Sequence, residues 1–399
     1  MNAAAQAART TSLHLNWTTT MPELLLAGDV APAFDAVTKA FVNNFRSEGE
    51  IGASFCVFQN GNKVVDLWGG HTDGARTRPW QRDSIVNVWS TTKGIMALCV
   101  ARLNDQGLLD NARPVADYWP EFGANGKGAV TVAQLFSHQA GLCGPTQKLT
   151  QTQLLDTDFL SALLAAEAPH WPVGSRSGYH ALTIGPLGDG LFKKVTGKTV
   201  GQYFRDEIAD PCGVDFHIGL PAEHESRVAE IVHDGNPQSG GEASFNTYQR
   251  LAQVHVPVHA DLANQRAWRA QGTPSAAGTG NARSVASIYG ALATDRRLGG
   301  TELVSRQALE AATTVQVENE DLVLRFPMSW GVGFALNKAM GAYGPNPAAF
   351  GHHGWGGSFG FADPAQRLGV AYAMNFMREP QGGLDPRFAS LVAAVYASV

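Results

Sequence analysis

Trp89-Ser90-Thr91-Thr92-Lys93-Gly94 stands where an extended, turn-rich run gives way to the apolar run Ile95-Met96-Ala97-Leu98-Cys99-Val100-Ala101. Positions three apart on a helix share a face, so a hydroxyl at 90 and an amine at 93 point into the same space. A helix start also leaves backbone N–H groups unpaired and carries the positive end of the helix dipole. That combination suits a nucleophile with a base one turn away, with Ser90 directed at a carbonyl carbon. The plain alternative for a lone Ser-x-x-Lys is a hydroxyl cap followed by a solvated lysine. The tetrad alone does not separate the two.

Upstream, Phe34, Val37, Phe41 and Phe45 fall at helical spacing and predict an amphipathic helix from Val30 to Arg46. Two strand-like runs, 53–58 and 63–68, flank Asn60-Gly61, the pair best suited to a type I′ hairpin turn. Residues 1–27 are Ala-, Thr- and Gln-rich and read as a mobile N-terminal arm. Downstream, 101–274 reads as mostly helical. Within it, 220–274 has weak periodicity and several prolines and glycines, an irregular excursion that could form a lid. Residues 330–336, 359–362 and 368–374 read as strands, and a closing helix spans about 386–397. Strands at both chain ends with helices between them predict an α/β (α+β) fold. Its antiparallel sheet would be built from both termini, 28–100 and 275–399, and flanked by helices, with a mostly helical region inserted.

Composition narrows the function. The chain has 399 residues, 44% of them hydrophobic, and a net charge of −5. That is enough for a large core, or for two lobes sharing a cleft. There is no basic run for nucleic acid or an anionic membrane surface, and no apolar run long enough to span a bilayer. The N-terminus lacks the basic start and apolar block of a signal peptide, so a cytoplasmic protein is the expectation. Cys56, Cys99, Cys143 and Cys212 are scattered and read as buried small hydrophobes, not as a disulfide or zinc framework.

Two further stretches carry chemistry. Ser177-Gly178-Tyr179-His180-Ala181 precedes a helix, and Gly351-His352-His353-Gly354-Trp355-Gly356-Gly357-Ser358-Phe359-Gly360 is dense in glycine near the C-terminal strands. Glycines let a substrate approach the backbone, and an edge strand has spare N–H groups. With these stretches, with 135–142 (Leu-Phe-Ser-His-Gln-Ala-Gly-Leu) and with Asn281-Ala282-Arg283-Ser284, the chain from about Val30 onward resembles the serine β-lactamase and penicillin-binding-protein superfamily. Within it the similarity is to the class C-like esterases called family VIII carboxylesterases.

The resemblance implies a β-lactamase-like fold and three catalytic side chains. Ser90 would be the nucleophile, and Lys93 and Tyr179 would activate it and shuttle its proton. Lys93 can act as a base only if burial or neighbouring charge lowers its pKa. A tyrosine beside an ammonium would have its own pKa lowered, so the two would titrate as a pair. An oxyanion hole would comprise the N–H of Ser90 and that of Ser358, or of Trp355 in a second register of the glycine-rich strand. Trp355, Gly356, Gly357, His353 and His180 would touch substrate.

The chain also departs from the β-lactamases. Their Tyr-x-Asn is Tyr179-His180-Ala181 here. Their Lys-Thr-Gly is Trp355-Gly356-Gly357, or His352-His353-Gly354 in the second register. The lysine that pairs with a lactam carboxylate is absent either way. The resemblance therefore implies hydrolysis of small, uncharged, short-chain esters without metal or organic cofactor, with weak β-lactamase activity at most. Acyl transfer from the same acyl-enzyme, or amide hydrolysis, are the alternatives. A non-catalytic scaffold is disfavoured, because all three catalytic side chains are present.

Rival motifs fail on chemistry. Gly356-Gly357-Ser358-Phe359-Gly360 fits G-x-S-x-G, but no histidine follows it to complete an α/β-hydrolase triad. His255 and His259 are separated by Pro257, and no Glu follows His255 as a metalloprotease helix requires. Gly197-Lys198-Thr199 lacks the first glycine of a P-loop, with Phe192 in its place.

Overall fold

The computed structural model describes residues 24–234, 242–378 and 384–399. Nine strands form one antiparallel sheet: β1 (Leu26–Val30), β2 (Gly52–Gln59), β3 (Asn62–Gly70), β4 (Val317–Glu320), β5 (Pro327–Trp330), β6 (Ala335–Leu336), β7 (Phe350–His353), β8 (Phe359–Asp363) and β9 (Leu368–Met374). Their order is β1-β3-β2-β9-β8-β7-β6-β5-β4. The two ends of the chain meet in the middle of the sheet, where Val57 of β2 pairs with Val370 of β9. The expected fold class is borne out. The β2–β3 hairpin turns on Asn60 and Gly61, at φ 52° and 79°, the left-handed pair that a type I′ turn requires.

Four helices matter to the site: α1 (Asp35–Ser47), α2 (Thr92–Asp105), α3 (Ala282–Leu292) and α4 (Pro386–Tyr396). Side chains alternate across a strand, and neighbouring residues of β7 and β8 show which helix covers which face. Gly360 lies against Val285 and Tyr289 of α3. Phe359, one residue earlier, stacks on Phe388 of α4 at 4.1 Å. On that same α4 face α1 packs beside α4, joined to it by Asn44, whose amide donates to the Arg387 carbonyl. The helix α2, which follows Ser90, is buried on all sides along residues 92–101, as an apolar run without a polar stripe should be.

Three expectations are corrected. The first helix begins at Asp35, not Val30, because Pro32 keeps Ala31 extended (ψ 141°). Val30 instead closes β1. That strand starts at Leu26, so the stretch assigned to a mobile arm ends in an edge strand paired with β3; residues 1–23 of the arm lie outside the described residues. The run 330–336 is two strands rather than one, since Gly333 turns at φ 84° between them.

The insertion between α2 and α3 consists of short helices and turns, and 235–241 of the suggested lid lie outside the described residues. A small three-stranded sheet ties it to the segment that precedes Ser90. Thr279–Gly280 pairs with both Val86–Asn87 and Phe216–His217. Among the described residues no helix is long and apolar enough to cross a membrane.

The helix α3 sits so close to the sheet that a methyl on Gly369 would come within 2.0 Å of the Gly290 nitrogen. We expect Gly369→Ala to cost about 1–3 kcal/mol, the usual range for overpacking, read as a lowered urea midpoint with an unchanged slope.

Candidate active site

Trp89 enters the turn that carries Ser90 at φ 48°, a conformation uncommon for any residue with a Cβ and a genuine outlier for a bulky one. Its ring is held by Trp268 at 5.8 Å and Trp355 at 4.9 Å, and its indole N–H donates to Met377 Sδ. A short 3-10 turn, Trp89–Thr91, then runs straight into α2. Ser90 is half-buried while Trp89 and residues 91–101 are buried, so of this stretch its side chain is the one the turn presents to solvent.

Lys93 is fully buried beneath it. Its Nζ stands 2.9 Å from Ser90 Oγ, 2.6 Å from the Ala181 carbonyl and 2.7 Å from the Ser275 carbonyl. Burial pushes its pKa well below that of an ordinary lysine, and no acid offsets the shift. A neutral amine has two N–H donors and one lone pair. Carbonyls can only accept, so in the neutral form the two carbonyls would take both N–H groups and the lone pair would face the Ser90 hydroxyl.

Tyr179 completes the group. Its hydroxyl is hydrogen-bonded to Ser90, and burial raises its pKa above the ordinary tyrosine value. The expectation of a lowered Tyr179 pKa is therefore corrected, because desolvation of the buried phenol outweighs the hydrogen bond to Ser90. The tyrosine ring is stacked on Trp330 at 5.5 Å and met edge-on by His138 at 4.9 Å. Its backbone is fixed by Asp321, which sequence reading missed. One carboxylate oxygen accepts from the N–H groups of Tyr179 (2.9 Å), Val323 (2.9 Å) and Leu324 (3.0 Å); the other accepts from the Ser177 hydroxyl (2.8 Å). Asp321 binds the N–H groups two and three residues ahead, as a turn-forming Asp commonly does. Its reach to 177–179, on a distant segment, has no local signal.

The remaining expected residues divide. His180 is buried, with Nε2 accepting from the Leu142 N–H and Nδ1 donating to the Gly178 carbonyl, and burial holds its pKa down at about 3. It packs behind Tyr179 and has no free nitrogen for substrate. His353 lies on the α4 face of β7, against Tyr343 and Phe388, where burial brings it to about 4. It points away from Ser90, since the alternation of the strand turns its neighbour His352 toward Tyr179 instead (6.0 Å between rings). His352 was not among the expected contacts. Its Nδ1 lies 2.8 Å from the His353 carbonyl and so carries the proton, while its buried Nε2 has no partner among the described residues.

The glycine-rich stretch is a turn joining β7 to β8. Gly357 N–H donates to the Gly354 carbonyl, and Gly356 has φ 90°, as the third position of a type II turn demands. The backbone N–H groups of Trp355 and Ser358 donate to no backbone carbonyl among the described residues. The Ser358 hydroxyl bonds to the Val88 carbonyl (2.7 Å) and to Thr91 Oγ1 (3.0 Å), so it joins this turn to the turn that carries Ser90 and is not itself presented as a nucleophile.

Residues 34–394 match the beta-lactamase family, and the chain belongs to that family. It is 46% identical to a protein described by the crystal structure of a family VIII carboxylesterase, with a TM-score of 0.88 over 94% of this chain and 100% of that one. A penicillin-binding-protein homolog from Caulobacter crescentus is 40% identical, with a TM-score of 0.87 over 94% of this chain and 100% of its own. The esterase/beta-lactamase LipL of Mycobacterium tuberculosis is 37% identical over 87% of this chain and 82% of its own length. The resemblance read from the motifs is borne out.

Removing the Asp321 carboxylate leaves several buried donors unpaired. Asp321→Ala is expected to lose at least about 3 kcal/mol of stability in urea denaturation, and to lower kcat through a displaced Tyr179.

Proposed function

We propose that this chain is a carboxylesterase that cleaves small, uncharged, short-chain esters through an acyl-enzyme on Ser90. The observation that carries this reading is the Lys93 amine, held by two carbonyls with its third direction 2.9 Å from Ser90 Oγ. Lys93 is the general base. Burial pushes its pKa down and so favours the unprotonated amine that a base requires, whereas Tyr179, shifted upward by burial, keeps its proton and serves as a donor.

The Ser90 proton passes to Lys93 as Oγ bonds to the ester carbonyl carbon. The carbonyl π pair moves to oxygen, and the oxyanion is met by the Ser90 N–H and one N–H of the 354–358 turn. The Trp355 N–H is the better candidate for the second donor. His352 beside Tyr179 supports the register in which His352-His353-Gly354 takes the place of Lys-Thr-Gly, and that register pairs with Trp355. Collapse breaks the bond to the alcohol, which leaves with a proton from Tyr179, and Lys93 returns its proton to Tyr179. Water then attacks the acyl-enzyme by the same route in reverse.

Two features favour uncharged esters. Among the described residues, His352 takes the place of the lysine that would pair with a lactam carboxylate, and burial disfavours its charged form. The half-buried Trp355 ring, packed on Trp89, offers an apolar surface nearby. LipL bears both activities in its name, so β-lactam opening is the comparison to run.

The test is turnover of p-nitrophenyl butyrate, with a chromogenic cephalosporin in parallel. Ser90→Ala and Lys93→Ala should each lose at least about 10⁴-fold in kcat/KM, in line with removal of a nucleophile or its base. Tyr179→Phe should lose about 10²–10⁴-fold. Wild-type activity in Ser90→Ala would refute the proposal.

The pH profile follows from the shifts. Protonated Lys93 is inactive, so kcat/KM rises with pH through a midpoint well below 10.5, the ordinary lysine value. Tyr179 ionises above its ordinary 10.0, so no falling limb is expected below that pH. A profile that falls between pH 8 and 10 would contradict the assignment of Tyr179 as the proton donor.

A further inference from the structure

One buried guanidinium takes no part in the proton transfers, yet it reaches the turn beside Ser90. Arg387, the second residue of α4, has a fully buried side chain. A guanidinium has five N–H donors in one plane. Here Nε donates to Asp385 Oδ1 at 3.0 Å and Nη2 to Asp385 Oδ2 at 2.7 Å. Nη1 donates to the Phe376 carbonyl at 2.9 Å and faces both Glu50 oxygens at 3.3 Å. Nη2 has a further donor, which goes to the Gly356 carbonyl at 3.0 Å. Glu50 is itself held by the Tyr372 hydroxyl and the Ile51 N–H. The guanidinium cannot rotate without giving up several charge-assisted bonds at once.

Gly356 needs such an anchor. It and Gly357 lie at φ 90° and 117°, where glycine moves freely and local sequence fixes no peptide plane. The Gly357 N–H closes the turn onto the Gly354 carbonyl. The Gly356 carbonyl has a buried cation as its partner, which sets the plane between 356 and 357. Trp355, one residue earlier, then has its N–H held in a fixed direction.

We propose that Arg387 is a positioning residue for the reaction: by holding the Gly356 carbonyl it keeps the Trp355 N–H aimed at the oxyanion beside Ser90. The inference rests on the Ser90 acyl-enzyme reading. The oxyanion exists only after attack, so misplacing its donor weakens the transition state and not the bound ester. A purely structural arginine would change stability and the amount of folded enzyme without that selectivity.

The experiment compares Arg387→Lys and Asp385→Asn with the wild-type chain. Lysine keeps the charge but not the fork. Asparagine can still cap α4 but weakens the two-point contact that orients Arg387. For each variant, thermal melting reports folding, p-nitrophenyl butyrate gives kcat and KM, and an alkyl trifluoromethyl ketone gives Ki for a hemiketal oxyanion in the same place. Folded Arg387→Lys should lose about 10- to 100-fold in kcat with KM within about twofold, and Ki should weaken by a matching factor. Asp385→Asn should show a smaller loss of the same kind. Wild-type kcat and Ki in folded Arg387→Lys overturn the proposal, as does a loss confined to KM. If Arg387→Lys does not fold, the same outcomes in Asp385→Asn decide. Ser90→Ala, run alongside, separates the two levels. If it is inactive while the Arg387 and Asp385 variants match wild type, only this inference falls. If it keeps wild-type turnover, the reading beneath it falls as well.

Discussion

The site depends on one desolvated amine. Lys93 is enclosed beneath Ser90 with two carbonyls and no carboxylate against it. A carboxylate there would hold the proton on the amine and remove the base. In the proposed mechanism carbonyl oxygens orient the amine instead. The Ala181 carbonyl comes from the Tyr179 loop, and Ser275 from the chain that leads into α3. Those two segments, brought together with α2, define the direction of one lone pair.

The surrounding structure keeps that arrangement dry and fixed. Trp330 lies flat against Tyr179, and Asp321 holds the tyrosine backbone from the far side of the loop. On the other flank, Trp89 adopts a left-handed backbone that its packing against Trp268 and Trp355 maintains. An unfavourable local conformation persists when its surroundings over-determine it. Here those surroundings are the fully buried Trp268 and the half-buried Trp355, so aromatic packing sets the turn that carries Ser90. Gly94 belongs to the same logic. Any side chain there would collide with the Tyr289 hydroxyl, and α2 would move away from α3 and carry Lys93 with it.

The local parts of this design were legible in the sequence. A serine and a lysine three apart at a helix start, an Asn-Gly hairpin and glycine-rich strand ends each declare themselves within a few residues. The family resemblance then supplied Tyr179. What escaped reading depends on contacts between distant segments. Asp321 and Tyr179 are 142 positions apart, and nothing in either stretch names the other. His352 and His353 are interchangeable in a string of letters, and only the placement of β7 between α3 and α4 decides which one faces the tyrosine. His180 looked like a cleft residue because it adjoins Tyr179, yet backbone groups occupy both of its nitrogens. The helix boundary at Asp35 was readable in principle, since Pro32 excludes helix from the residue before it.

The most direct test of the account is where a carbonyl-directed reagent bonds. An alkylphosphonate p-nitrophenyl ester reacts with an activated serine and leaves a stable covalent group, which intact-mass and peptide-mass measurements locate. The account predicts one phosphonyl group per chain, on the peptide that carries Ser90. It predicts that the labelling rate rises with pH as Lys93 loses its proton and that Ser90→Ala takes up none. A phosphonyl group on Ser358 or elsewhere, or equal labelling of Ser90→Ala, would contradict it.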